Sequence, residues 1–136
     1  MNEKRVKEWI ILAEGDLKTA KDELSMSKPF TNTVCFHSQQ CVEKYLKAYL
    51  TFSGRPFRKT HDLTELIQEC IELDPEFNIF FEMKVDKLTQ YAVDIRYPDE
   101  FYFPSFLEAK ESIEIAEKVK SFVLEKLKTL GFFYET

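Results

Sequence analysis

Four polar side chains recur at helical spacing near the middle of the chain. They belong to His37, Gln40, Lys44 and Lys47, which follow one another at intervals of three, four and three residues. Residues at these intervals lie on one face of an α-helix. An imidazole, an amide and two ammonium groups in a row predict a surface that binds an anion. An exposed helix face that only keeps the chain in solution would have the same spacing.

A second candidate is His61, which follows Arg55, Arg58 and Lys59. The basic residues before it favour an anion-binding role for its imidazole. The segment 60–63, Thr-His-Asp-Leu, also has the composition of a helix start, with the threonine as N-cap. A capping or packing role for His61 is therefore an alternative.

The third candidate is Arg96 together with Tyr97, just before Pro98. Proline disfavours helical geometry in the residue before it, so we expect a helix to end here. A guanidinium can hold a phosphate through two parallel hydrogen bonds, and a tyrosine can stack on a base. In the alternative, Arg96 pairs with Asp94 or binds helix carbonyl groups.

Length, charge and cysteine content limit the class of protein. A chain of 136 residues predicts one domain over 1–136. The net charge of −5 means that any contact with a nucleotide or RNA must be a local patch. Three cysteines without paired zinc spacing predict reduced thiols in a cytoplasmic protein. We predict no metal, because His37 and Cys41 make only half a site, and no cofactor or membrane span.

The periodicity of apolar residues predicts an all-α fold, a five-helix up-and-down bundle. Ser105 with Glu108 predicts a capping box for the last helix, Gly131 its C-terminal end, and Thr60 the N-cap of the third. Asp74 before a proline predicts the start of the fourth helix. The predicted helices span 3–26, 29–52, 61–73, 75–97 and 105–130.

Aromatic residues are more numerous than one small bundle needs. The chain has 13 Phe and 6 Tyr, and the tail 132–136 is itself aromatic. Large exposed apolar patches mark interaction surfaces, and symmetric dimers are the commonest oligomers. We therefore expect a homodimer, with the tail packed on the bundle or on a partner.

Four segments in order resemble the HEPN domain family (higher eukaryotes and prokaryotes nucleotide-binding). They are 13–17, 36–48, 60–63 and 94–98, and the central one, FHSQQCVEKYLKA, is the most specific. The resemblance implies a five-helix bundle that dimerises. It also implies a partner, a small nucleotidyltransferase often encoded by a neighbouring gene, in a toxin–antitoxin-type module.

Many relatives in the wider superfamily are metal-independent ribonucleases, marked by an arginine and, four to six residues later, a histidine. No histidine follows Arg96 at that distance. We therefore predict a non-catalytic subunit that binds a nucleotide or a partner, rather than an enzyme. The alternative is a divergent ribonuclease in which Arg96 stabilises the phosphorane charge and His37 or His61 transfers a proton.

The sequence is also compatible with two further hypotheses about function. The chain can be a structural interaction module whose polar row only serves solubility. In some relatives the nucleotidyltransferase adds nucleotides to a tyrosine near the arginine motif, and Tyr97 and Tyr102 are the tyrosines in that region here.

Overall fold

Every regular element in the described part of the chain is helical, which confirms the predicted all-α class. The computed structural model describes residues 2–92 and 103–134. The α-helices are α1 (Glu3–Leu24), α2 (Thr31–Phe52), α3 (Leu63–Leu73), α4 (Ile79–Glu82) and α5 (Phe106–Thr129), and two 3-10 helices cover Pro75–Asn78 and Val85–Tyr91. None of the described helices is long and apolar enough to span a lipid bilayer.

The central helix of the bundle is α2. Fourteen of its 22 residues are buried, compared with six of 22 in α1. It packs against α1, α5 and α3, so three sides of α2 face protein. Its polar side chains must therefore find partners on the neighbouring helices, because a buried charge without a partner is costly.

The single fourth helix predicted over 75–97 is wrong, and with the 3-10 helices counted the described residues form more helices than the five predicted. The chain forms a 3-10 turn, the four-residue α4 and a second 3-10 helix that ends at Tyr91. Lys84 adopts a left-handed conformation (φ 62°) between the last two and interrupts any continuous helix. The physical reason lies in the spacing of the buried residues.

Buried side chains in this region come in pairs three residues apart, Phe77 with Phe80 and Val85 with Leu88. Side chains at i and i+3 are aligned in a 3-10 helix, which has three residues per turn. The apolar pattern therefore fits short 3-10 segments around the end of the bundle. Arg96 and Tyr97, the predicted end of this helix, lie outside the described residues.

Several helix ends follow the predicted capping chemistry. Ser105 and Glu108 form a capping box, Gly131 has a φ of 98°, and the Asp74 carboxylate accepts a hydrogen bond from the Glu76 amide. The predicted N-cap of α3, Thr60, is wrong. Asp62 caps α3 through the Thr64 amide at 3.0 Å, while Thr60 Oγ1 accepts from the Asp62 amide.

We expect Ser105→Ala to lower the free energy of unfolding by about 1 kcal/mol, because the amide of Glu108 loses its acceptor. Urea denaturation measures this change. Ser121→Ala is the matched control, since Ser121 is exposed in the middle of the same helix. An equal loss in both variants would contradict the capping role.

The aromatic tail packs on the bundle in part. Phe132 is buried, with its ring 5.8 Å from that of Phe52, and Tyr134 packs against the core. Phe133 is 70% exposed. The expectation that the tail packs on the bundle is confirmed for Phe132 and Tyr134.

Candidate functional site

Two of the predicted site residues share one carboxylate on α1. Asp16 Oδ1 lies 2.7 Å from His37 Nδ1, and Asp16 Oδ2 lies 2.5 Å from Lys44 Nζ. His37 and Lys44 are seven residues apart, which is about two helical turns, so both side chains reach α1 from the same face of α2. The Asp16 carboxylate is nearly buried between them.

A second carboxylate gathers the other predicted residues. Glu43 Oε2 accepts a hydrogen bond from Lys47 Nζ at 2.8 Å, and Glu43 Oε1 lies 2.8 Å from His61 Nδ1. Gln39 Nε2 also donates to Glu43 Oε1, at 3.2 Å. We call Gln39, Glu43, Lys47 and His61 the Glu43 network.

Two amides extend the Glu43 network along α2. Gln40 Nε2 donates to Gln39 Oε1 at 2.6 Å, and Gln39 Nε2 donates to the carbonyl oxygen of His61 at 3.2 Å. The second bond ties the backbone before α3 to α2. Gln39 itself is fully buried, and its carbonyl oxygen and amino group both have partners.

Two aromatic rings cover the ammonium group of the network. Lys47 Nζ lies 5.5 Å from the centre of the Trp9 ring and 5.8 Å from that of Phe57. These distances are within the range of cation–π attraction. The side chain of Lys47 is only 8% exposed, so its charge is neutralised inside the protein.

The predicted row therefore divides into two clusters. His37 and Lys44 bind Asp16, whereas Gln40 and Lys47 belong to the Glu43 side, which His61 joins from the segment before α3. Spacing within α2 revealed the four cationic and amide groups but not their acceptors. The pair Glu43 and Lys47 was visible as an i, i+4 salt bridge, whereas Asp16, on another helix, gave no local signal.

The two histidines differ in access. The side chain of His61 is 66% exposed, and that of His37 is 28% exposed. Both present Nδ1 to a carboxylate. Since the ring of His61 lies mostly at the surface, it is the histidine better placed to meet a ligand.

Arg96 and Tyr97 lie outside the described residues, and their predicted roles stay predictions. The 3-10 helix Val85–Tyr91 is the last described helix before them in the chain. The Leu63 amide donates to Thr89 Oγ1 at 3.1 Å, so the start of α3 contacts the second 3-10 helix.

Buried cysteines exclude an activated thiol. Burial raises the pKa of the Cys41 thiol and of the Cys70 thiol far above the usual range, and it also raises that of Cys35. A nucleophilic cysteine needs a lowered pKa. Within residues 2–92 and 103–134, no cluster of three or more His, Cys, Asp or Glu side chains is arranged to hold a metal ion.

A third carboxylate joins α1, α2 and α5. Glu14 Oε2 accepts from the Tyr45 hydroxyl and from Lys120 Nζ, both at 2.6 Å. Burial acts to raise the pKa of Glu14. The hydrogen bonds from Lys120 and Tyr45 and the charge of Lys120 outweigh burial, so the pKa lies below the ordinary value.

A lowered folded-state pKa means that the ionised Glu14 stabilises the protein above the ordinary carboxyl pKa, and that this contribution is lost as the pH falls through the lowered value. We expect Glu14→Gln to lower the free energy of unfolding by about 1 kcal/mol at pH 7. The difference from the wild type should shrink in acid. Urea denaturation of both proteins at pH 7 and in acid measures this difference. A difference that does not change with pH would contradict the lowered pKa of Glu14.

The sequence of this chain is similar to those of known proteins over most of its length. A model of the HEPN domain matches residues 6–127. The "Putative toxin MJ1304" of Methanocaldococcus jannaschii is 32% identical over a 146-residue alignment that covers 93% of this chain and 88% of that protein.

Two solved structures have a similar fold. One is TT1696 from Thermus thermophilus, with a TM-score of 0.74, 27% identity, and coverage of 93% of this chain and 100% of that one. The other is ST0689, described as an archaeal HEPN homologue, with a TM-score of 0.67, 27% identity, and coverage of 90% and 97%. The family model, the toxin-named relative and these folds agree with the resemblance of the four sequence segments, and the chain belongs to the HEPN domain family.

Proposed function

We propose that this chain is the HEPN subunit of a toxin–antitoxin-type module, in which it binds a nucleotide and a small nucleotidyltransferase without catalysing a reaction itself. The observation that carries the proposal is the HEPN match over residues 6–127, together with the similarity of nearly the whole chain to a protein named as a toxin. A nucleotidyltransferase as the second component is our proposal.

The chemistry of the described residues supports a binding role. The three thiols are buried, and burial raises the pKa of each, which disfavours a nucleophilic thiolate. The ammonium groups of Lys44 and Lys47 are each paired with a carboxylate, so neither is free to stabilise the charge of a reacting phosphate. No histidine follows Arg96 at the spacing of the ribonuclease signature.

The nucleotide contact that we propose consists of His61 with Arg96 and Tyr97. His61 contributes an exposed imidazole. Arg96 can bind a phosphate and Tyr97 can stack on a base. Of the other predicted residues, Lys47 and Gln40 join His61 in the hydrogen bonds around Glu43, whereas His37 and Lys44 hold Asp16 on α1.

Calorimetric titration with AMP and ATP tests the nucleotide contact. We expect binding by the wild type, and about tenfold weaker binding by Arg96→Ala, because the mutation removes a charge-assisted contact to phosphate. Arg5→Ala is the matched control, since Arg5 is an exposed arginine on α1. Unchanged binding in Arg96→Ala would show that the assigned contact is wrong.

Coexpression with the product of the adjacent gene tests the partner. The two proteins should elute together, and the neighbour should be a small nucleotidyltransferase. An intact-mass measurement on the same sample shows whether Tyr97 or Tyr102 gains a nucleotide. A neighbour without nucleotidyltransferase sequence, or separate elution, would contradict this part of the proposal.

We also propose that the chain forms a homodimer. Apolar rings are exposed at one end of the bundle, where Phe30 and Phe103 contact each other at 5.4 Å and Phe106 is also about half exposed. Light scattering should give a mass of twice the 16.1 kDa of one chain. The mass of a single chain at micromolar concentration would contradict the dimer.

A divergent ribonuclease is the second candidate function. It is favoured by the carboxylate behind His61, because an oriented imidazole with an exposed ring is suited to transfer a proton. His37 is less accessible for the same task. RNA cleavage by the wild type and its loss in Arg96→Ala and His61→Ala would support this alternative, and absence of cleavage would exclude it.

A further inference from the structure

The Glu43 network has a defined balance of charge and hydrogen bonds. The Glu43 carboxylate is almost completely buried and accepts from Lys47, Gln39 and His61. An ammonium group 2.8 Å away stabilises the ionised carboxylate. An ionised carboxylate is only an acceptor, so each of its neighbours must donate.

This requirement fixes the tautomer of His61. Its Nδ1 lies 2.8 Å from Glu43 Oε1, and the short contact requires a hydrogen on Nδ1. In the neutral ring the other nitrogen, Nε2, then carries a lone pair. Within the described residues Nε2 has no hydrogen-bond partner, and the ring lies mostly at the surface.

We infer that Glu43 is a positioning residue for His61, and that Nε2 of His61 accepts a hydrogen bond from a ribose hydroxyl of the bound nucleotide. The second half of this inference rests on the proposed nucleotide-binding function. It names the part of the nucleotide that the site recognises, and it makes Glu43 and His61 determinants of the recognition of the sugar hydroxyls.

The charge balance favours a hydroxyl over a phosphate at this nitrogen. Glu43 and Lys47 carry opposite charges 2.8 Å apart, so they leave little net positive potential behind a neutral ring. A lone pair on Nε2 would face the acceptor oxygens of a phosphate without a hydrogen between them. A ribose hydroxyl donates its hydrogen and satisfies the lone pair.

The first arm of the test reads the tautomer without any ligand. Long-range nitrogen–proton NMR on the wild type at pH 8 should show a protonated Nδ1 and an unprotonated Nε2 for His61. In Glu43→Gln the His61 signals should move toward the other tautomer, because an amide can donate as well as accept. The signals of His37, held by Asp16, serve as the internal control and should stay in place.

A second variant guards against loss of folding. Glu43→Gln leaves the Lys47 charge buried, so the double variant Glu43→Leu with Lys47→Met removes both charges together. It takes away the acceptor for Nδ1 while keeping a similar volume. If His61 in the wild type carries its hydrogen on Nε2, or if its tautomer is the same in the double variant, the positioning role of Glu43 is overturned.

The second arm measures recognition of the ribose. Calorimetry compares AMP with its 2′-deoxy and 3′-deoxy analogues on the wild type and on His61→Ala. We expect about three- to tenfold weaker binding of one analogue to the wild type, which identifies the hydroxyl concerned, and no discrimination by His61→Ala.

The two arms separate the possible failures. AMP binding that ignores both hydroxyls would overturn the ribose contact and leave the proposed nucleotide binding intact. Absence of AMP binding at millimolar concentration would overturn both the nucleotide function and the ribose contact. The NMR result decides on the positioning role of Glu43 in either case.

Discussion

Glu43→Ala should lower the free energy of unfolding by about 3–5 kcal/mol, the largest effect we expect from a polar substitution. The change leaves the Lys47 ammonium inside the protein, where its side chain is 8% exposed, without its carboxylate. The rings of Trp9 and Phe57 attract a cation but accept no strong hydrogen bond. The Nδ1 of His61 also loses its hydrogen-bond acceptor, and the Nε2 of Gln39 loses one of its two acceptors.

The reason for the size of this effect is the uncompensated charge rather than the strength of the ion pair. A double variant, Glu43→Leu with Lys47→Met, removes both charges and should be more stable than Glu43→Ala. Glu65→Ala is the surface control, since Glu65 pairs with the exposed Arg58 and such pairs contribute about 1 kcal/mol or less. Equal losses in Glu43→Ala and Glu65→Ala would contradict the buried network.

Phe77→Ala should lower the free energy of unfolding by about 3–5 kcal/mol, as expected for the truncation of a fully buried aromatic side chain. The ring of Phe77 lies 4.5 Å from Tyr49 and 5.0 Å from Phe122, measured between ring centres. It also contacts Phe80. Its removal leaves a cavity among α2, α5 and the first 3-10 helix.

Phe133→Ala is the matched control for this aromatic cluster. Phe133 is 70% exposed in the tail, and surface substitutions change stability by about 0.5 kcal/mol or less. Both variants remove the same atoms, so the difference in their urea midpoints reports burial alone. A loss in Phe77→Ala as small as that in Phe133→Ala would show that the 3-10 segment does not pack on the core.

The long helices could be predicted because their signals are local. The periodicity of apolar residues predicted the positions of α1, α2 and α5. Ser105, Glu108 and Gly131 marked the ends of α5, because capping contacts form within one or two turns of a helix end. The N-cap of α3 shows the limit of such signals. Thr60 and Asp62, two residues apart, both have side chains that can cap a helix, and the N-cap of α3 is Asp62, which accepts from the Thr64 amide.

The fourth helix could not be predicted, because its apolar pattern fits two structures. Phe77, Phe81, Val85 and Leu88 lie at α-helical spacing, and an α-helix satisfies a local reading of the sequence. Of the three phenylalanines in this region, the bundle fully buries Phe77 and Phe80, whereas Phe81 is only partly buried. The left-handed Lys84 then starts a new segment. Only the position of α2 and α5 decides which ring is inside.

The candidate site was predicted as a set of groups but not as an arrangement. Spacing identified His37, Lys44 and Lys47, and the acceptors that neutralise them come from α1 and from one turn earlier in α2. The spacing of residues within α2 does not show that Asp16, on α1, contacts His37 and Lys44. The roles of Arg96 and Tyr97 stay predictions.

The most direct test of the proposed function is the affinity of the purified protein for AMP, measured by calorimetry for the wild type and for His61→Ala. We predict that the wild type binds and that His61→Ala, which remains folded because the ring of His61 is mostly exposed, binds about tenfold more weakly. Equal affinities, or no binding by the wild type, would contradict it.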